Sequence, residues 1–218
     1  MYIKRAIEDT IRQISRTFPV LLVTGPRQVG KTTLLKHLAE PGRRYVTLDD
    51  PAARFLARTD PSLFMQRYHP PVIIDEIQHA PEILPYIKMN VDRSGNKGDF
   101  WLTGSQIFHT MKNVSESLAG RVGIVNLLGL SNSEIDGIPS EPFTASPQRL
   151  LDRTKTAKRA SSAQIYERIF RGGLPALYAD TTINLETFYS SYIDSYLKRD
   201  IRDLIQIADE MSFYKFML

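Results

Sequence analysis

The chain has 218 residues, 42% of them hydrophobic, with a formal net charge of +4 and no cysteine. That size suits one domain plus a small accessory domain with a real core. It excludes a disulfide framework and any Cys-ligated metal site, and the apolar run around Leu21 is far too short to span a bilayer. The N-terminus mixes charges from its first residues and has no signal-type apolar stretch, so a soluble cytoplasmic protein without a membrane partner is the expectation. The mild positive charge permits a nucleic-acid contact, but no long basic block argues for one.

In chain order, residues 3–17 carry Ile3, Ile7, Ile11 and Ile14 on one stripe, which predicts an amphipathic helix. Residues 19–24 form a short apolar run of buried-strand type. Next comes Gly25-Pro26-Arg27-Gln28-Val29-Gly30-Lys31-Thr32, which fits G-x-x-x-x-G-K-[ST]. Glycines at both ends let the backbone curl so that its N–H groups converge on an anion. Lys31 is placed to reach β- and γ-phosphates, and the Thr32 hydroxyl to ligate Mg²⁺. Helical apolar spacing resumes from Thr33, so the loop sits in the strand–loop–helix setting that nucleotide binding requires. Residues 25–33 are therefore the expected phosphate cradle.

Residues 43–48 read as a strand, 52–68 as a helix broken at Pro61, and 71–76 as a strand that turns acidic at Asp75 and Glu76. Ligands of open parallel sheets bind at the carboxyl ends of strands. Asp75 is thus the expected Mg²⁺ partner, and Glu76 the carboxylate that orients and polarises water. Acids also simply cap buried strands, and the nearby phosphate loop is what favours the chemical reading. Residues 81–91 read as a proline-led helix, 99–104 as a fourth strand and 121–128 as a fifth. Strands alternating with helices predict an α/β fold, a parallel sheet covered on both faces. Ser131 and Glu134 fit a capping box.

Residues 139–162 are rich in Pro, Ser, Thr, Lys and Arg with little apolar periodicity, which predicts a linker or exposed loop. Helical pattern returns at residue 163, with Ile165, Ile169 and Phe170 on one face and Phe188, Tyr192 and Tyr196 on another. Residues 211–218 form an apolar helix-like run without a stop signal, expected to seek a protein partner. The division is 1–138 as core, 139–162 as linker and 163–218 as a helical lid.

The order of the 25–32 loop, Leu48-Asp49-Asp50-Pro51, Asp75-Glu76-Ile77-Gln78, Leu102-Thr103-Gly104-Ser105-Gln106, Ser117-Leu118-Ala119-Gly120-Arg121 and Tyr196-Leu197-Lys198-Arg199-Asp200-Ile201 resembles the AAA-type ATP-binding proteins of bacteria and archaea that carry a C-terminal domain of unknown function. The resemblance implies a P-loop NTPase sandwich of three αβα layers, with a five-stranded sheet in the order 5-1-4-3-2. It implies Mg²⁺-dependent hydrolysis of ATP to ADP, with Lys31 and Glu76 catalytic. Ser105 would be the polar sensor near the γ-phosphate, ahead of Thr103 and Gln106, although a hydrophilic turn with a helix cap fits too. Arg121 would be an arginine finger reaching a neighbour in a homo-oligomer, or else a structural ion-pair residue. Gly172-Gly173-Leu174-Pro175 is similar to the G-x-P element of STAND-like ATPases, where the proline packs on adenine; a plain helix stop and restart is the alternative. Family members run on past this length, so the chain is expected to be truncated. A slow-turnover regulatory switch and a nucleic-acid-associated ATPase remain as alternative functions.

Overall fold

In the computed structural model, residues 2–104, 114, 117–139, 144–156 and 159–196 are described. Five parallel strands, β1 (Val20–Thr24), β2 (Arg44–Thr47), β3 (Val72–Asp75), β4 (Phe100–Gly104) and β5 (Val122–Asn126), form one sheet in the order β2-β3-β4-β1-β5. This is the expected 5-1-4-3-2 arrangement, viewed from the other edge. Register aligns Thr24 with Gly104 and Asn126, and Thr47 with Asp75, so the polar ends of the strands share one edge.

Alternation along the strands feeds two apolar layers. Val20, Leu22, Ile74, Phe100 and Leu102 pack on one side with α3 (Pro51–Thr59), α4 (Pro61–Arg67) and α5 (Leu84–Ser94). Leu21, Val23, Ile73 and Trp101 pack on the other with α1 (Glu8–Thr17) and α2 (Lys31–Leu38). A sheet covered on both faces needs near-continuous apolar strands, and β1, β3 and β4 are buried end to end. The chain break at Pro61 is a double cap. Asp50 accepts from Ala52 and Ala53 N–H at the start of α3, and Asp60 accepts from the Leu63 N–H at the start of α4, each with proline in the first turn.

Two expectations change. The N-terminal helix starts at Glu8, not at residue 3. A helix, Pro147–Thr156, stands inside the segment expected as linker, and its described side chains are mostly exposed, which is why apolar periodicity failed to signal it. Ile165, Ile169 and Phe170 do share the helix Ser162–Arg171 but face outward, 49%, 70% and 67% exposed. The capping box at Ser131 is present as read. Among the described residues no helix is long and apolar enough to cross a membrane.

Residues 2–7 do not join α1, because Arg5 takes them elsewhere. Its buried guanidinium donates to Glu134 Oε1 (3.0 Å), Val29 O (2.9 Å) and Leu128 O (2.8 Å). Glu134 also accepts from the backbone N–H groups of Ala6 and Ser131, both at 2.7 Å. Burial pushes the Glu134 carboxyl up, but the Ser131 and Ala6 N–H groups and the Arg5 guanidinium outweigh it and hold it below the ordinary value. Arg5→Met should cost about 3–5 kcal/mol by leaving a buried charge without its partner, read as a lower urea midpoint, and adding Glu134→Gln should restore part of it. A depressed carboxyl stabilises fully above its unfolded value and loses that contribution as pH falls through the folded value. Parent and variant midpoints should therefore converge in acid below pH 4.5, the ordinary value for this group.

Candidate functional site

The loop between β1 and α2 is shaped by its glycines. Gly25 sits at φ +142°, and a Cβ there would lie 2.0 Å from the Leu127 carbonyl oxygen on the exit of β5. Gly30 caps α2 at φ +91°, and Gln28 also takes a left-handed φ of 62°. Residues bent this way turn successive N–H groups inward and pay local strain that functional loops commonly carry. Arg27, Gln28, Gly30, Lys31, Thr32 and Thr33 line a cavity of about 870 Å³, with Val29 beside them. The Val29 side chain itself is buried in the core. Gly25 and Pro26 contribute differently: their carbonyls accept from the buried Lys31 Nζ, at 2.9 and 2.8 Å.

Across the sheet edge, Asp75 is buried and collects three hydroxyls. Thr32 Oγ1 donates to its Oδ1 at 2.8 Å, Thr103 Oγ1 donates to the same oxygen, and Tyr45 OH donates to Oδ2 at 2.9 Å. Burial first, and then the neighbouring Asp75 carboxylate, pushes the Tyr45 phenol up to about 12, so it stays a donor at neutral pH. The Lys36 Nζ lies 3.5 Å from the centre of the Tyr45 ring. One carboxylate beside one hydroxyl is a sparse protein ligand set that could hold Mg²⁺, an ion that keeps waters at most of its positions. Among the described residues no cluster of three or more acidic or histidine ligands exists, and a phosphate-bridged Mg²⁺ needs none.

Glu76 follows in a left-handed conformation, φ 59° and ψ 51°, and its side chain reaches the cavity wall. Its backbone N–H donates to Thr103 Oγ1 at 3.0 Å, so one threonine reads both acids. Gln78 Nε2 donates to Glu76 Oε2. Ser105 and Gln106 lie outside the described residues, as do residues 197–218.

The cavity's far wall comes from two distant parts of the chain. Tyr2 and Ile3 enter from the N-terminal segment, and the Tyr2 ring stacks on His37 with centroids 3.8 Å apart. Pro175 and Ala176 enter from the C-terminal helices, and the Pro175 Cγ lies 3.8 Å from where a Gly30 Cβ would stand. The glycines before Pro175 have two uses. Gly172 ends the preceding helix at φ +69°, so the stop-and-restart reading holds locally. Gly129 and Gly173 let two backbones cross: Leu130 N–H donates to Gly173 O at 2.6 Å, and a Cβ on Gly129 would lie 2.9 Å from that oxygen.

Arg121 is not brought to this cavity. It precedes β5, at the opposite end of the strands from the loop, and pairs with Asp92 through Nε at 2.5 Å and Nη2 at 3.1 Å. Tyr45, Arg5, Tyr2 and Gln78 were not singled out as site residues by the sequence. Tyr45 becomes visible only once β2 is known to lie against β3.

The sequence profile described as AAA domain matches residues 17–136, and one described as a domain of unknown function (DUF8612) matches residues 162–218. Uncharacterized proteins of Mycobacterium tuberculosis and Mycobacterium bovis are each 28% identical over 202 residues, covering 92% of this chain and 40% of their own length. The chain thus spans less than half of these curated relatives. A solved Walker-type ATPase of Pyrococcus abyssi is similar at 13% identity and a TM-score of 0.48, covering 81% of this chain and 65% of that one. The AAA-domain match extends over more than half of the residues: the chain belongs to the AAA-domain family, with a domain of unknown function following it.

Proposed function

We propose that this protein binds Mg²⁺-ATP and hydrolyses its β–γ bond. The observation that carries the reading is that Lys31, the Thr32–Asp75 pair and Glu76 meet at one rim of one cavity. Phosphates would lie on the 25–33 loop and on the first turn of α2, where the N–H groups of a helix start and the helix dipole favour anions. Lys31 Nζ, parked on two loop carbonyls, would turn to the β- and γ-phosphate oxygens. Thr32 and Asp75 would hold Mg²⁺, which neutralises charge on those oxygens. Glu76 would orient a water in line with the bridging oxygen and take its proton as the new O–P bond forms. ADP and inorganic phosphate would leave. Pro175 and Tyr2, which both line the cavity, would flank the base. Ser105 as sensor remains part of this proposal.

A second reading, a slow nucleotide-dependent switch, is favoured by the backbone crossing at Gly129 and Gly173, which joins the phosphate-loop side to the C-terminal helices. Those helices would then act as a lid that reports nucleotide to a protein partner. Net positive charge alone is what supports a nucleic-acid role. A cytoplasmic setting is proposed with the same reading.

Steady-state phosphate release separates hydrolase from switch. Glu76→Gln should keep ATP binding and lower turnover by about 10²–10⁴-fold, the usual cost of losing a general base; equal rates in the two proteins would remove Glu76 from the chemistry.

Tyr45→Phe strips one donor from Asp75 without touching the loop. Ligands that lose an outer hydrogen bond typically lose about 10–100-fold in metal affinity, so the half-saturating Mg²⁺ concentration should rise by that order at saturating ATP. An unchanged Mg²⁺ requirement would assign the phenol to packing.

Arg121 faces away from its own cavity, so a catalytic role requires a neighbouring subunit. Arginine fingers contribute about 10³–10⁵-fold in rate. Specific activity should then rise with protein concentration, and a mixture of Arg121→Ala with Glu76→Gln should recover turnover that neither has alone. A dead mixture of associating variants would leave Arg121 as the Asp92 ion pair and nothing more.

A further inference from the structure

The Glu76 carboxylate is held by a side chain two residues along, and that contact has an unusual cost. Gln78 lies in the short 3-10 turn Ile77–His79, which is anchored by the fully buried Ile77 and by the Arg58 Nε bond to the His79 carbonyl at 2.6 Å. Its amide N–H₂ must face the Glu76 carboxylate, because only the nitrogen can donate there. That orientation sends Gln78 Oε1 the other way, buried and with no hydrogen-bond partner among the described residues. A buried acceptor without a donor weakens the fold. Alanine or leucine at 78 would avoid that penalty, so the amide is a poor choice for stability alone. Among the described residues its side-chain hydrogen bond is the one to Glu76.

Glu76 needs such a grip. Its backbone is fixed by the left-handed conformation and by the N–H bond to Thr103 Oγ1, but three rotatable bonds separate its carboxylate from that backbone, and the residue lines the cavity. A general base works only when its oxygen stands within hydrogen-bond reach of the water in line for attack. We propose that Gln78 is a positioning residue that selects the Glu76 rotamer used in hydrolysis, by tying Oε2 and leaving Oε1 to the water. This rests on Glu76 acting as the general base.

The experiment is a double-mutant cycle on the full chain, with single-turnover rates, ATP affinity and Tm measured for the parent, Gln78→Leu, Glu76→Ala and the double variant. Gln78→Leu should lower the hydrolysis rate by about 10–100-fold, the scale of a misplaced catalytic group. ATP affinity should be unchanged. Tm should be equal to the parent's or higher, because a buried oxygen without a partner among the described residues is gone. In the Glu76→Ala background the same substitution should cost no further rate. A parental rate in Gln78→Leu overturns the inference, and so does an equal loss in both backgrounds, since Gln78 would then not act through Glu76. Lost activity together with a lowered Tm, repeated in Gln78→Met, would also overturn it, by assigning Gln78 to folding. A parent that shows no hydrolysis overturns the hydrolytic reading itself, and this inference with it, before any variant is compared.

Discussion

The site is organised around one buried carboxylate. Asp75 stands at the end of β3 and is contacted by hydroxyls from α2, β2 and β4: Thr32, Tyr45 and Thr103. Moving a carboxylate out of water costs several kcal/mol, and each hydrogen bond to a charged group returns about 1.5–3 kcal/mol. Three donors therefore make its burial tolerable, and they do so only if α2, β2, β3 and β4 keep their relative positions. The same bonds bring the phosphate-loop helix to the acidic strand. Thr103 extends the arrangement by one residue, because its hydroxyl also fixes the backbone of Glu76. Tertiary geometry and site geometry are here the same set of contacts.

A second constraint is steric. Gly25 passes so close to the Leu127 carbonyl that no side chain fits, and Gly129 and Gly173 cross with similar closeness. These contacts tie both the phosphate loop and the C-terminal helices to the segment that leaves β5. Arg5 adds a third tie, bonding to Val29 in the loop, to Leu128 and Gly129 after β5, and to Glu134 in the capping box. A shift in the loop on nucleotide binding would thus be felt at the N-terminal segment and at the start of the C-terminal helices. That is the physical basis on which a nucleotide-dependent switch could be built into this fold.

Several elements were legible early for a common reason. The loop, the double proline-capped break at Pro61 and the capping box at Ser131 are local patterns, in which residues a few positions apart supply both the chemical groups and the backbone freedom. The order of strands came through the family resemblance rather than through periodicity. The N-terminal stretch misled because Ile3 and Ile7 fit the helical stripe, while the buried Arg5 answers to groups more than a hundred residues away. The helix Pro147–Thr156 gave no apolar signal because it buries little.

By itself, then, the sequence determined the chemistry on offer: a glycine-framed loop with Lys31 and Thr32, paired acids after an apolar strand, and alternating elements that must form a parallel sheet. Each of these follows from short-range pattern, where spacing along the chain equals spacing in space. Only the tertiary structure decided which polar groups those residues meet. Tyr45 reaches Asp75 because β2 pairs with β3, Pro175 approaches Gly30 because two glycine backbones cross, and Arg121 is carried to the far end of the strands because β5 runs parallel to β1. Such pairings depend on strand order and on close backbone approach, which long stretches of intervening chain separate and no local pattern encodes.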